Sequence, residues 1–282
     1  RLKSSSTSRS SGKSTEKCRN TTPFAGGYCF KPMKTLVYIA NTDPLKENGL
    51  YNAAFDAVSA ERKEKVLRYR FLKDRVLSLG AELLLRKALR ECGIEIPEVH
   101  YGYKTNGKPF LKGVEGVDFN ISHSEDFVML TVSGNETGCD IEKITEIDLE
   151  IAKKFFFREE YENIAALPAS GERNGLFFRY WTLKESFMKA TGLGMRLPLD
   201  SFQILIGNDG KTGVRQSVDT KNYNFTEIDA VPGYKCAVCT AGNATENDVK
   251  IVDFREILKG GNYGCSENHK RNGSNFESRR LA

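Results

Sequence analysis

Residues Tyr180–Gly194 read YWTLKESFMKATGLG. The apolar positions have the rhythm of a buried helix, and Glu185 and Lys189 interrupt it. Four residues apart on a helix, these two side chains share one face. A Glu–Lys pair at that spacing is most often a solvated surface pair, so alone it names no chemistry. The rest of the chain has to decide.

Outward from this helix, which the pattern extends over Asn174–Thr191, strand-like and helix-like segments alternate. Thr35–Ala40 reads as a strand. Ser59 is an N-cap for a long helical pattern that runs to Gly93. Gly80 falls in its middle, so two consecutive helices and one helix with a soft point both fit. Tyr101–Leu111 carries an Asn-Gly between short runs, the signal of a hairpin. VDFNIS, FVMLTVS and TGCDIEKI follow as strand patterns, and Asp148–Phe156 opens another helix. Residues 201–258 read mostly as strands: FQILIG, NFTEID, YKCAVCT and VKIVDF. Helices beside antiparallel-looking strands predict an α+β fold. Each half pairs an aromatic and basic helix with a three-strand group, an echo that does not by itself establish a repeat.

The chain has 282 residues, of which 39% are hydrophobic, enough for two modest domains or one large one. No run approaches the ~20 apolar residues of a membrane span. The formal charge of +5 resides in the tails: residues 1–32 hold seven Lys/Arg against one Glu, and 259–282 hold five against two. The part between is therefore acidic on balance, which argues against a nucleic-acid partner. Eleven Ser/Thr in residues 1–32 favour disorder. That segment is basic and acid-poor, as transit peptides are, but lacks the apolar stretch of a secretory signal. Met33, just before the first strand, reads as a native start. The polar tail 259–282 is expected to be disordered as well. Seven cysteines, odd in number and irregularly spaced, predict reduced thiols and a cytoplasmic protein. Cys236 and Cys239 form a C-x-x-C inside a strand pattern, which reads as core packing rather than zinc.

In the strand GCDIEK, Asp140 and Glu142 point to one face while Cys139 and Ile141 face the core. Two carboxylates held together raise each other's pKa unless a cation intervenes, and a divalent ion with oxygen ligands is one solution. A solvated strand face is the other. His123 ends the strand FNISHS between Ser122 and Ser124. Lys108, after the tight turn of GKP, is placed to reach outward as a point charge for phosphate. Arg62, Lys65 and Arg68 line the helix ERKEKVLRYRFLKDR. Carboxylates, cations, hydroxyls and one proton carrier are together what a metal–phosphate site requires.

Trp181–Lys189 (WTLKESFMK) and Gly138–Lys143 (GCDIEK) resemble the two signature motifs of the 4′-phosphopantetheinyl transferases of the surfactin-synthetase-activating type. GKPFL, FNISHSE and SAERKEK match lesser motifs in the same order, so the resemblance spans about residues 34–258. It implies a pseudo-dimer of two similar α+β halves, 33–137 and 138–258, with coenzyme A in the cleft between them. It also implies transfer of phosphopantetheine from coenzyme A to a serine of an apo peptidyl or acyl carrier protein, releasing adenosine 3′,5′-bisphosphate. By motif, Asp140, Glu142 and Glu185 would hold Mg²⁺, with Mn²⁺ as an alternative. Glu185 would also serve as base, Lys189 would serve the leaving phosphate, and His123 would reach the phosphates. Lys108 and Ser122 match coenzyme A contacts, and Arg62, Lys65 and Ser78 match the adenosine end. Thr145–Phe155, with Ile147, Leu149 and Ile151, would help dock the carrier. Two positions depart from the pattern: Cys139 replaces a branched apolar residue, and Arg62 stands where lysine is common. The resemblance leaves two rivals: the same reaction on a fatty-acid or aminoadipate-type carrier, and a non-catalytic coenzyme A-binding module. A pseudo-dimer needs no second chain, so a monomer is expected.

Overall fold

The computed structural model describes residues 22–24, 27–29, 34–207, 209–243 and 246–260. The chain begins there with a hairpin, β1 (Thr22–Phe24) and β2 (Gly27–Cys29), followed by β3 (Thr35–Asn41). Three helices come next: α1 (Asn48–Ala57), α2 (Ala60–Arg68) and α3 (Leu72–Glu91). Five strands complete the first half: β4 (Tyr101–Tyr103), β5 (Pro109–Leu111), β6 (Val114–Glu115), β7 (Asp118–Ser124) and β8 (Phe127–Ser133). The second half runs through β9 (Thr137–Lys143), α4 (Leu149–Phe155), α5 (Arg158–Ala165) and α6 (Gly171–Thr191). It then continues with β10 (Gln203–Ile206), β11 (Thr212–Arg215), β12 (Tyr223–Ile228) and β13 (Tyr234–Ala241). β14 (Asn247–Ile251) and α7 (Phe254–Gly260) end the described chain.

The fold is α+β, two halves each built from a small sheet packed on helices. In the first half the sheet order is β14-β3-β8-β7, and in the second it is β12-β13-β9. All pairings in these two sheets are antiparallel except β14 with β3, which is parallel. Helix α3 covers the first sheet with Leu79, Leu83 and Leu84, and α6 covers the second with Leu183, Phe187 and Met188. A third apolar cluster joins them: Val37, Ile39 and Met129 of the first sheet pack with Cys139, Ile141 and Val238 of the second. The halves thus bury surface against each other as well as within themselves.

Several local expectations change. The long helical pattern breaks at Tyr69–Phe71, where extended backbone separates α2 from α3, and not at Gly80. Gly80 lies inside α3 because Phe254 of α7 sits on it; an added Cβ would come within 2.8 Å of that ring. The VKIVDF strand does not stay with the second half. It becomes β14, paired with Thr35–Ile39, and α7 follows it onto the first core, where Phe254 and Ile257 are buried. The chain from 247 onward therefore completes the first half, although 138–258 reads as one unit in sequence. Within the extension expected to be disordered, β1 and β2 pair with each other, and β2 pairs with β6; the remainder of 1–32, and 261–282, lie outside the described residues. Helices α1, α5 and α7 and strand β11 have no counterpart in the sequence reading.

Gly138 is the glycine on which the site depends. A Cβ there would collide with the Ser186 carbonyl and the Ala190 amide of α6. Only a residue without a side chain lets β9 and α6 approach backbone to backbone. Gly138→Ala is expected to destabilise the protein by about 1–3 kcal/mol, the usual cost of overpacking. It should also weaken activity more than Gly49→Ala, which meets open space. Urea unfolding of both variants checks this.

Candidate active site

The close approach at Gly138 brings the C-terminal turns of α6 over β9. Lys189 Nζ lies 2.6 Å from Asp140 Oδ1 and 3.2 Å from Ser122 Oγ. Ser122 Oγ in turn donates to Asp140 Oδ1 at 2.7 Å. Asp140 is 2% exposed, and its Oδ2 is buried without a protein partner. One carboxylate oxygen is thus over-supplied with donors and the other has none. Burial raises the Asp140 pKa, against the opposing pull of Lys189.

Two neighbours deepen this acidic centre. Glu142 accepts from Ser124 Oγ at 2.9 Å. Its pKa is pushed up to about 7, first by burial and then by Asp140, with a further push from Glu185. Glu185 is half-buried, and its pKa is raised by burial and by Asp140 while Lys189 works the other way. Lys189 keeps its proton: burial disfavours the ammonium, but Asp140 outweighs that and the pKa rises. Asp140 raises the pKa of both Glu142 and Glu185, and three carboxylates, one with an oxygen left bare, carry more negative charge than Lys189 alone balances. The donors are all oxygens, the kind hard divalent ions take. Among the described residues, no three His, Cys, Asp or Glu groups already converge as closely as metal ligands do.

Polar side chains on β7 hold the two halves in register. The amides of Thr137, Cys139, Ile141 and Lys143 face β7 and bond to Asp118, Asn120, Ser122 and Ser124 side chains at 2.8, 2.9, 3.4 and 3.1 Å. Every second residue of β7 supplies an acceptor, as the two-residue period of a strand requires. Ser122 and Ser124 each accept an amide and give their hydroxyl hydrogen to the carboxylate one position earlier on β9. Their orientation is settled by both bonds.

A second region opens beside the acidic centre, a cleft of about 440 Å³ bordered by Arg62, Lys65, Ser78, Tyr101, Phe119 and His123, among others. Four residues singled out by sequence, from α2, α3 and β7, therefore meet in one place. Arg62 Nη1 donates to Ser78 Oγ at 3.2 Å, and its guanidinium lies 5.0 Å from the centre of the Tyr101 ring. The Lys65 pKa is lowered by burial and by the Arg62 charge. His123 connects the regions: it borders the cleft, and desolvation followed by the Lys189 charge holds its pKa down.

Lys108 is a correction. Its ammonium does not reach outward but is buried, 2.5 Å from Asp118 Oδ2 and 2.8 Å from the Thr137 carbonyl. The preceding turn places it there: Asn106 contacts the Gly192 carbonyl at the end of α6, so the hairpin clamps onto the second half. Cys236 and Cys239 fall on opposite faces of β13, in two different apolar clusters, and cannot share a metal. Along the expected docking segment, Ile147 and Leu149 pack on the second core, while Ile151 and Phe155 are exposed.

Comparison with known proteins matches residues 43–135 to the family model described as 4′-phosphopantetheinyl transferase, N-terminal. Residues 136–239 match the model of the 4′-phosphopantetheinyl transferase superfamily. The 4′-phosphopantetheinyl transferase Sfp of Bacillus subtilis (strain 168) is 33% identical over 202 residues, which cover 71% of this chain and 90% of that protein. This chain belongs to the 4′-phosphopantetheinyl transferases. The gsp transferase of Aneurinibacillus migulanus is 36% identical over 200 residues, 70% of this chain and 82% of its own length. Among solved structures, a holo-(acyl-carrier-protein) synthase of Bacillus anthracis str. Ames overlaps 38% of this chain and 96% of its own, at 17% identity and a TM-score of 0.33.

Three residues that hold these side chains in place have no such role in the sequence reading. In the sequence Ser124 reads only as a flank of His123, though its spacing of two from Ser122 carries the signal. Tyr101 reads only as a residue of the hairpin. Glu82 stands alone in the apolar run LGAELLL; a carboxylate there must be either exposed or fully partnered, and it is the latter. No helix among the described residues is long and apolar enough to cross a membrane.

Proposed function

We propose that this transferase moves the phosphopantetheine arm of coenzyme A onto a serine hydroxyl of an apo carrier protein of nonribosomal peptide or polyketide synthesis, releasing adenosine 3′,5′-bisphosphate. The observation that carries this reading is the bare Oδ2 of Asp140 among three carboxylates, beside a cleft lined by Arg62, Lys65 and His123. An acidic, cation-seeking centre next to a basic cleft suits a pyrophosphate, with metal at the scissile end and positive side chains further out.

Asp140, Glu142 and Glu185 would hold Mg²⁺, and Mn²⁺ also suits this donor set. The metal would supply positive charge to phosphate oxygens. The remaining work falls to this chain's own groups. Glu185, with its pKa raised, accepts the proton of the incoming serine hydroxyl, directly or through one water. Lys189 spends two of its three N–H donors on Asp140 and Ser122 and has the third for the leaving phosphate. His123 contributes a hydrogen bond to the phosphates from the cleft wall. Arg62, Lys65 and Ser78 face the adenosine end, where a 3′-phosphate needs cations. Lys108, held by Asp118, serves the seam between the halves. The same reading takes the enzyme to be a cytoplasmic monomer that docks its carrier along Thr145–Phe155.

The deciding experiment is intact mass spectrometry of apo carrier proteins incubated with the enzyme, coenzyme A and Mg²⁺. A gain of one phosphopantetheine arm, abolished by EDTA, is expected on peptidyl carriers. A gain only on fatty-acid or aminoadipate-type carriers would reassign the client. Coenzyme A binding with no gain on any carrier would leave a binding module.

The metal makes a pH prediction. The Glu142 pKa is raised to about 7 in the folded protein and is ordinary in the unfolded chain. Between those values the folded state holds the extra proton, so metal-free stability falls as pH climbs from about 5 to about 8. A divalent cation favours the ionised form, so the rise in Tm on adding Mg²⁺ should be larger at about pH 8 than at about pH 6. An equal or larger rise at the lower pH would remove Glu142 from the ligand set.

A further inference from the structure

Glu82 is 0% exposed, yet it is a carboxylate in the middle of α3. Five donors converge on it. The Ser59 amide and hydroxyl approach at 2.6 and 2.9 Å, Arg62 Nε at 3.2 Å, Arg86 Nε at 3.1 Å and the Tyr101 hydroxyl at 3.3 Å. These come from the N-cap of α2, α2 itself, the next turn of α3, and β4. A buried charge this fully partnered is costly to assemble, and it gathers donors from α2, α3 and β4 at one point.

What the arrangement does is aim Arg62. The Nε edge is held by Glu82, Nη1 by Ser78 Oγ at 3.2 Å, and the Tyr101 ring lies 5.0 Å from the guanidinium. A guanidinium has five N–H donors in one plane. Two are spent on these partners, which leaves three N–H donors on a side chain that borders the cleft. Glu82 also meets two arginines with one negative charge, so the cluster remains positive, and Lys65 adds another cation to the same wall. We propose that Glu82 is the positioning residue that presents the outer edge of Arg62 to the cleft, and so gives the cleft its preference for a phosphate monoester. A lysine at position 62 would keep the charge but lack the planar fork that Glu82 and Ser78 orient. The inference rests on the reading of this cleft as the coenzyme A site.

Adenosine 3′,5′-bisphosphate and adenosine 5′-monophosphate differ only in the 3′-phosphate, and calorimetry gives the ratio of their Kd values. The unmodified protein should prefer the bisphosphate. Glu82→Gln should reduce that ratio by about tenfold, the scale of a well-oriented charge-assisted pair, while affinity for the monophosphate stays close to its starting value. A merely structural role would weaken both ligands together and leave the ratio unchanged, which would overturn the proposal while the coenzyme A reading stood. No preference in the unmodified protein would instead overturn the coenzyme A reading itself. Should Glu82→Gln not fold, Arg62→Lys decides: it keeps the cation and loses the fork, so the ratio should fall by a similar factor. A full preference retained in Arg62→Lys would show that charge alone suffices and that orientation by Glu82 is irrelevant.

Discussion

Glu185→Gln is expected to lower turnover by about 10²-fold or more while leaving the fold and coenzyme A binding in place. The substitution preserves shape and removes only the charge. Glu185 is half-buried and has no hydrogen-bonded ion pair of its own; its nearest influences are the Asp140 and Lys189 charges. Replacing it relieves crowding among three carboxylates, so stability should hold or rise. The loss should therefore appear in kcat, measured by mass gain on a saturating carrier, with Tm unchanged or raised. Turnover within a few-fold of the unmodified enzyme would remove Glu185 from proton transfer.

Lys184→Ala, one residue earlier, should do the opposite: it is expected to cost about 3–5 kcal/mol of stability. Lys184 and Glu160 form an ion pair at 2.8 Å with side chains 0% and 1% exposed. The ammonium also donates to the Leu199 and Phe202 carbonyls at 2.8 and 2.9 Å and lies 4.2 Å from the centre of the Phe202 ring. Removing it strands a buried Glu160 and two carbonyls. Urea unfolding should show a lower midpoint with the slope unchanged, and activity per folded molecule should persist. A midpoint shift of under about 1 kcal/mol would mean that the pair contributes no more than an exposed one.

Adjacent residues of the same motif thus divide the labour. Successive positions on a helix are turned by about 100°. Lys184 therefore points into the second core while Glu185, and Lys189 one turn on, point to the seam. The solvated pair that Glu185–Lys189 first suggests is not what forms: Lys189 bonds to Asp140 and Ser122 instead.

Much of the site was legible because it follows local periods. The strand GCDIEK, with alternate residues inward, put Asp140 and Glu142 on one face, and burial of Cys139 and Ile141 agrees. Ser59 caps α2 with its hydroxyl accepting from the Arg62 amide. What was not legible depends on partners far away in the chain. Lys108 looks like a turn lysine until Asp118 and the Thr137 carbonyl take its ammonium. The break after Arg68 carries no glycine or proline, and Gly80, which the pattern leaves open as a break or a soft point, serves to admit Phe254 from residues distant in sequence. β14 looked like one more strand of the second half until it paired with β3.

By itself the sequence determined the class of fold and the family, and it put forward the carboxylates and cations proposed for the chemistry, since residue type and spacing are properties of a single segment. The tertiary structure decided how those segments meet. It brought β7 and β9 edge to edge through four side-chain acceptors, let α6 down onto Gly138, and enclosed Glu82 among five donors. Each of these depends on where another chain segment lies, and the free energy of a buried polar group is set by its partners rather than by its own identity.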